Sequence, residues 1–171
     1  MKQLSPAFFR LALLLCGYSC FVHTATAATI SLTPKTIGGD GVFSTQSFEG
    51  RTVWVPTSYL YFDVPSSFVF TQAVPVYVRI EYHDAGRGKV VVQYDSTPGS
   101  AYQNAELHSR SSRVGGDEFV YSYQCFRSPR LANRENGATD FRLLLNSSDG
   151  TPLRVASPAR RRPIPGGSGV P

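Results

Sequence analysis

Tyr59, Tyr61 and Asp63 recur at every second position, and so do Tyr77, Arg79, Glu81 and His83. In an extended chain that spacing puts each set on one side of its strand. If Leu60, Phe62 and Val64 enter the core, Tyr59, Tyr61 and Asp63 face outward together with Tyr77, Arg79, Glu81 and His83; on the next strand, Val90, Val92 and Tyr94 leave Gln93 and Asp95 opposite them. Tyrosine rings among carboxylate, amide and guanidinium groups suit a sugar, because the rings pack on its C–H faces while the polar groups hydrogen-bond its hydroxyls. Strands also carry half-exposed tyrosines with no ligand at all, so an ordinary solvent face is the competing reading. The loop Asp84 to Gly88 is the competing binding position, since sandwich folds often bind at loops.

Catalytic chemistry has a weaker footing. There is no phosphate loop, dinucleotide fingerprint, nucleophile elbow or zincin helix. Asp63, Glu81, Asp84 and Asp95 lie on or beside expected strands, and two of them about 5–10 Å apart across a cleft would serve a glycosidase. His83 and His108 are the histidines outside the leader, without a recognisable metal spacing. Trp54, the sole Trp, sits between Val53 and Val55 and is expected in the core or its rim. Cys125 lies in the aromatic run Phe119 to Phe126 and reads as a small buried hydrophobe rather than a nucleophile.

The elements that must position these residues are strands. Val76 to His83 alternates cleanly, Asp84-Ala85-Gly86-Arg87-Gly88 follows as a short loop, and Lys89 to Asp95 begins a second strand, together a hairpin signal. Further strands are expected at Thr29–Leu32, Thr52–Val55, Ser58–Val64, Phe68–Phe70, Glu118–Phe126, Asp140–Leu145 and Pro152–Ala156, with a turn at Gly38–Gly41 and a short helical turn within Ser128–Asn136. Short strands with turns every 8–12 residues are the pattern of a sandwich or barrel.

The ends of the chain differ from its middle. Lys2 and Arg10 flank the apolar run Leu11 to Val22, and Ala25-Thr26-Ala27 places small residues where a signal peptidase reads them. Residues 1–27 are therefore expected to be a signal peptide, and the protein to be secreted or periplasmic. The run is shorter than the roughly 20 apolar residues of a membrane span, and no later segment supplies one. Removing residues 1–27 from the 171 leaves 144, enough for a core without disulfide staples, and leaves Cys125 as the single cysteine. Residues 158–171 hold four Pro, three Gly and three Arg, a composition unable to bury enough apolar surface to offset its ordering entropy. The formal net charge of +5 belongs to the ends: residues 28–153 hold 11 basic and 12 acidic side chains, no footprint for nucleic acid.

Three stretches together carry a resemblance. They are Tyr59-Leu60-Tyr61-Phe62-Asp63-Val64, then Val78 to Asp84 running on to Val92-Gln93-Tyr94-Asp95-Ser96, then Leu131 to Leu143 (LANRENGATDFRL). Together they resemble the galactose-binding-like, jelly-roll β-sandwich modules of secreted bacterial proteins, often attached to polysaccharide-degrading enzymes. The resemblance covers about residues 50–145. It implies an all-β, two-sheet antiparallel β-sandwich of jelly-roll type over residues 28–157. It also implies a non-catalytic module or scaffold without a cofactor, with a polysaccharide, glycan or other extracellular surface as partner; many such folds bind a structural calcium, but no aspartate-rich calcium loop matches here residue by residue and calcium stays open. The ligand-binding residues expected are Tyr59, Tyr61, Asp63, Tyr77, Arg79, Glu81 and His83. A small polysaccharide hydrolase or lyase, and a structural assembly component without a small ligand, are the alternatives.

Overall fold

The computed structural model describes residues 29–68 and 74–158. The expected signal peptide, residues 69–70 of one expected strand, and the tail from residue 159 lie outside the described residues.

Among the described residues eleven strands form two antiparallel sheets. They are β1 (Phe43–Phe48), β2 (Arg51–Pro56), β3 (Tyr59–Phe62), β4 (Val76–His83), β5 (Arg87–Tyr94), β6 (Gln103–Asn104), β7 (Glu106–Ser109), β8 (Ser112–Val114), β9 (Phe119–Phe126), β10 (Phe141–Ser147) and β11 (Arg154–Ala156). One sheet runs β1-β2-β11-β4-β9-β7; the other runs β3-β10-β5-β6, with β8 also paired to β5. The two pack face to face as a β-sandwich, the architecture expected from the strand pattern.

The alternation seen in the sequence explains the packing. Ile80 and Tyr82 of β4, Val120 and Phe126 of β9, Trp54 of β2 and Val155 of β11 point inward from the larger sheet. Leu60 and Phe62 of β3, Val90, Val92 and Tyr94 of β5, and Phe141 and Leu143 of β10 meet them from the smaller one. Tyr94 stacks on Phe126 across the interface, with ring centroids 4.4 Å apart and planes 9° apart. Trp54 meets Phe62 edge-on at 6.5 Å, a second tie between the sheets. Cys125 is buried and unpaired.

Several local expectations are corrected. β4 and β5 do not form a hairpin: β4 pairs with β11 and β9, and β5 pairs with β10, β6 and β8. Both strands bury an apolar side, and the loop between them carries the chain over to the opposing sheet, so the two apolar sides face each other. Asp84 holds this crossing: its Oδ1 accepts from Val114 N at 2.7 Å, and its backbone N donates to Glu118 O at 2.8 Å. Thr29–Leu32 is not a strand, Phe68 lies in a turn, and Ser128–Asn136 contains no helical turn.

The hairpin the sequence reading passed over is β1–β2. Its turn residues Glu49 and Gly50 have φ of 50° and 71°, the left-handed pair of a type I′ connection that matches strand twist. β1 reads FSTQSF with four exposed central residues, because it is an edge strand with little to bury on either side. β7 is exposed along its whole length for the same reason.

One interior polar group completes the smaller sheet. β8 reaches β5 only as far as Lys89, and β6 joins it at Gln93. In that gap Gln124 of β9 reaches across the core. Its Nε2 donates to Val90 O at 3.1 Å, and its Oε1 accepts from Val92 N at 3.3 Å. The amide stands in for the missing strand, as buried backbone groups require.

Candidate functional site

The two expected sets of outward residues occupy opposite surfaces of the sandwich. Tyr59 and Tyr61 belong to β3 in the smaller sheet, with Asp63 just beyond it; Tyr77, Arg79, Glu81 and His83 belong to β4 in the larger sheet. A single face holding both sets does not exist, because the crossing that precedes β4 and the one that follows it each change sheets.

On the smaller sheet the tyrosines are already occupied. Arg142 of β10 lies with its guanidinium carbon 4.2 Å from the Tyr59 ring centroid and 4.1 Å from that of Tyr102. Its Nε and Nη2 donate to Gln93 Oε1 at 2.9 and 2.7 Å, and its Nη1 donates to the Tyr61 hydroxyl at 3.1 Å. Tyr61 in turn donates to Asp40 Oδ2 at 3.0 Å and is fully buried. Burial raises the Tyr61 pKa, against the pull of Arg142. A guanidinium held between two rings takes the stacking surface a sugar would use. Asp63 is exposed and stands apart from this cluster's hydrogen bonds.

The irregular segment that closes this end of the sandwich is held by carboxylates. Asp95, fully buried, accepts from Ala132 N at 2.9 Å and Arg134 Nε at 2.8 Å. Asp140, also fully buried, accepts from Val64 N at 2.8 Å and Asn133 N at 2.9 Å. Burial raises the Asp140 pKa, and these two backbone bonds oppose the rise. Glu135 nearby is buried, and neither carboxyl oxygen has a partner among the described residues; burial pushes its pKa up to about 9.

These placements weigh on the acid-pair reading. Asp84 and Asp95 flank the two ends of β5, whose eight residues span about 25 Å. Both are engaged by backbone and arginine donors. Glu81 is ion-paired with Arg51.

The outer face of the larger sheet is arranged differently. In the β4–β9 register Arg79 lies opposite Tyr123, Glu81 opposite Tyr121, and Tyr77 opposite Cys125. Tyr77 is 64% exposed, Tyr121 43% and Tyr123 41%. The Tyr121 and Tyr123 ring centroids are 6.4 Å apart, and the Arg79 guanidinium carbon is 5.2 Å from the Tyr121 centroid. His108 of β7 meets Tyr77 edge-on at 5.4 Å. Beyond it Arg127 grips Glu106 through two nitrogens, which lowers the Glu106 pKa and raises that of Arg127. A polar cleft of about 340 Å³ adjoins that pair, lined by Ser96, Thr97, Gln103, Asn104 and Ser128.

His83 does not join this face in the expected way. It is 1% exposed, wedged between Phe48 at 4.7 Å and Phe119 at 5.1 Å. Its Nε2 is 3.7 Å from both Glu49 Oε1 and Asp117 Oδ1, beyond hydrogen-bond length. Among the described residues no group of three His, Cys, Asp or Glu side chains is disposed to hold a metal ion. No helix among them is long and apolar enough to cross a membrane. A second cavity, of about 320 Å³, lies along β4; core side chains such as Phe62 and Ile80 line it, and so do Tyr77, Arg79, Glu81 and Tyr121.

Tyr121, Tyr123 and His108 were missing from the sequence reading. The signal that could have found them is the alternation Tyr121-Ser122-Tyr123-Gln124. Polarity pointed the wrong way there, since Ser122 and Gln124 are the inward residues and the tyrosines face solvent. No protein family, curated protein or solved structure matches this chain.

Proposed function

We propose that the protein is a secreted, non-catalytic β-sandwich module of the galactose-binding-like kind that binds carbohydrate on the outer face of β4, β9 and β7. The observation that carries this reading is three exposed tyrosines, Tyr77, Tyr121 and Tyr123, on two adjacent strands with Arg79 among them. Each ring offers a flat apolar surface fixed to a rigid sheet, and the guanidinium supplies donors for hydroxyls. The cleft beside Glu106 and Arg127 adds amide and hydroxyl groups where β7 of this sheet meets β6 of the other. The exposed rings are spread along two adjacent strands, which suits a chain of sugars better than a single small ligand.

Retention on insoluble and soluble polysaccharides tests the reading. Tyr77→Ala removes an exposed ring without opening the core, and loss of a stacked aromatic weakens binding by about 1–3 kcal/mol, roughly fivefold to a hundredfold. Tyr59→Ala, on the opposite sheet, leaves retention unchanged. Equal loss in both variants, or no retention of the parent on any polysaccharide, overturns the proposal.

A further inference from the structure

We infer that this face selects polysaccharides bearing carboxylates, with Arg79 as the carboxylate-binding residue; the inference rests on the carbohydrate reading and names its ligand class. The two acidic groups that border the tyrosines are already neutralised from the rim. Glu81 is ion-paired with Arg51, and Glu106 is held by Arg127 through two nitrogens. Neither carboxylate is left to repel an anion, and neither pairs with Arg79. Among the described residues Arg79 has no carboxylate within ion-pair distance, and its guanidinium carbon lies 5.2 Å from the Tyr121 ring centroid. The ring steadies the guanidinium while leaving its N–H fork open to solvent. That planar fork matches a carboxylate with two parallel hydrogen bonds.

Position supports the same partner. Tyr77 and Arg79 are two residues apart on one side of β4, about 7 Å along the strand, and Tyr123 lies opposite Arg79 in the register. A pyranose stacked on either ring therefore has its exocyclic carbon within reach of the guanidinium. Attraction by the domain as a whole does not explain such a preference, because residues 28–157, Arg154 of β11 included, carry 12 basic and 12 acidic side chains. A preference that disappears with Arg79 is local to the face, whereas one drawn by Arg160 to Arg162 of the tail survives its replacement.

The experiment compares the folded protein's affinity for polygalacturonate, its methyl-esterified form, dextran and dextran sulfate at fixed ionic strength. The expected result is at least tenfold tighter binding to polygalacturonate than to the ester. Arg79→Gln abolishes that preference, and Arg79→Lys restores only part of it, since a point charge lacks the fork. Lys89→Gln, which removes the same charge from the other sheet, keeps the preference. Equal affinity for the free and esterified polymers, or an Arg79→Gln variant that still discriminates, overturns the inference while leaving the carbohydrate reading standing. Tighter binding to dextran sulfate than to polygalacturonate replaces carboxylate recognition with general polyanion attraction and also overturns it. Failure of all four polymers to bind overturns both readings.

Discussion

Replacing Glu135 with glutamine should make the protein more stable at neutral pH, by an amount that grows with pH. Glu135 is 4% exposed and its carboxyl oxygens are unpartnered among the described residues. Burial pushes its pKa up to about 9 from an ordinary 4.5, helped by the charges of Asp95 and Asp140 and opposed by Arg142. The folded protein thus holds a proton that the unfolded chain has released. Between these two values folding takes up a proton, so stability falls as pH rises, by about 1.4 kcal/mol per pH unit. At pH 7, the accumulated cost is about 3 kcal/mol; below pH 4.5 it vanishes, and above pH 9 it stops growing. Glutamine fills nearly the same volume and has no proton to retain. Urea titrations at pH 5, 6, 7 and 8, followed by the fluorescence of Trp54, the sole Trp and a buried one, give the difference between parent and variant at each pH. Taking the difference cancels the titration of most other groups, and the constant cost of burying an amide appears only as an offset. A difference that stays flat from pH 5 to pH 8 refutes the reasoning.

Two further substitutions probe the fold. Gln124→Leu leaves Val90 O and Val92 N without their partner in the gap along β5; at about 1–3 kcal/mol per stranded group, denaturant titration should show a loss of about 2–6 kcal/mol, and a loss below about 1 kcal/mol would show that the amide is dispensable. Gly88 has φ 150°, and a Cβ there would sit 1.9 Å from the backbone oxygen of Asn146, so Gly88→Ala should cost several kcal/mol and reduce folded yield, whereas Gly38→Ala, with nothing within 4 Å, should change the urea midpoint little.

The composition of the strands was legible wherever one side of a strand is buried and the other is wet. Val78, Ile80, Val92, Phe62 and Leu143 could be placed in the core from a period of two alone; the structure buries the last four and half-buries Val78. The same rule failed in two physically distinct ways. It missed β1 and β7, which lie at sheet edges and bury little, so no alternation is imposed on their residues. It also leaves the faces of β9 unassigned, because there Gln124 points inward to serve a gap in the opposing sheet while the tyrosines point out.

Which face a residue points to is local, and the sequence determines it; which sheet the strand joins is not. Tyr61 and Tyr77 both point away from the core, yet they end on opposite surfaces because long-range pairing sends β3 to β10 and β4 to β9. Nothing in the spacing of either strand encodes those partners. Tertiary structure likewise decided the fate of equivalent side chains: Tyr59 and Tyr61 lie under Arg142, a residue some 80 positions away whose guanidinium reaches both rings, while Tyr77 has solvent above it. His83 continues the alternation of β4 but is enclosed by Phe48 and Phe119, brought there from β1 and β9. Alternation is set by the geometry of one strand, whereas occupancy of a ring face is set by whatever the rest of the chain packs against it.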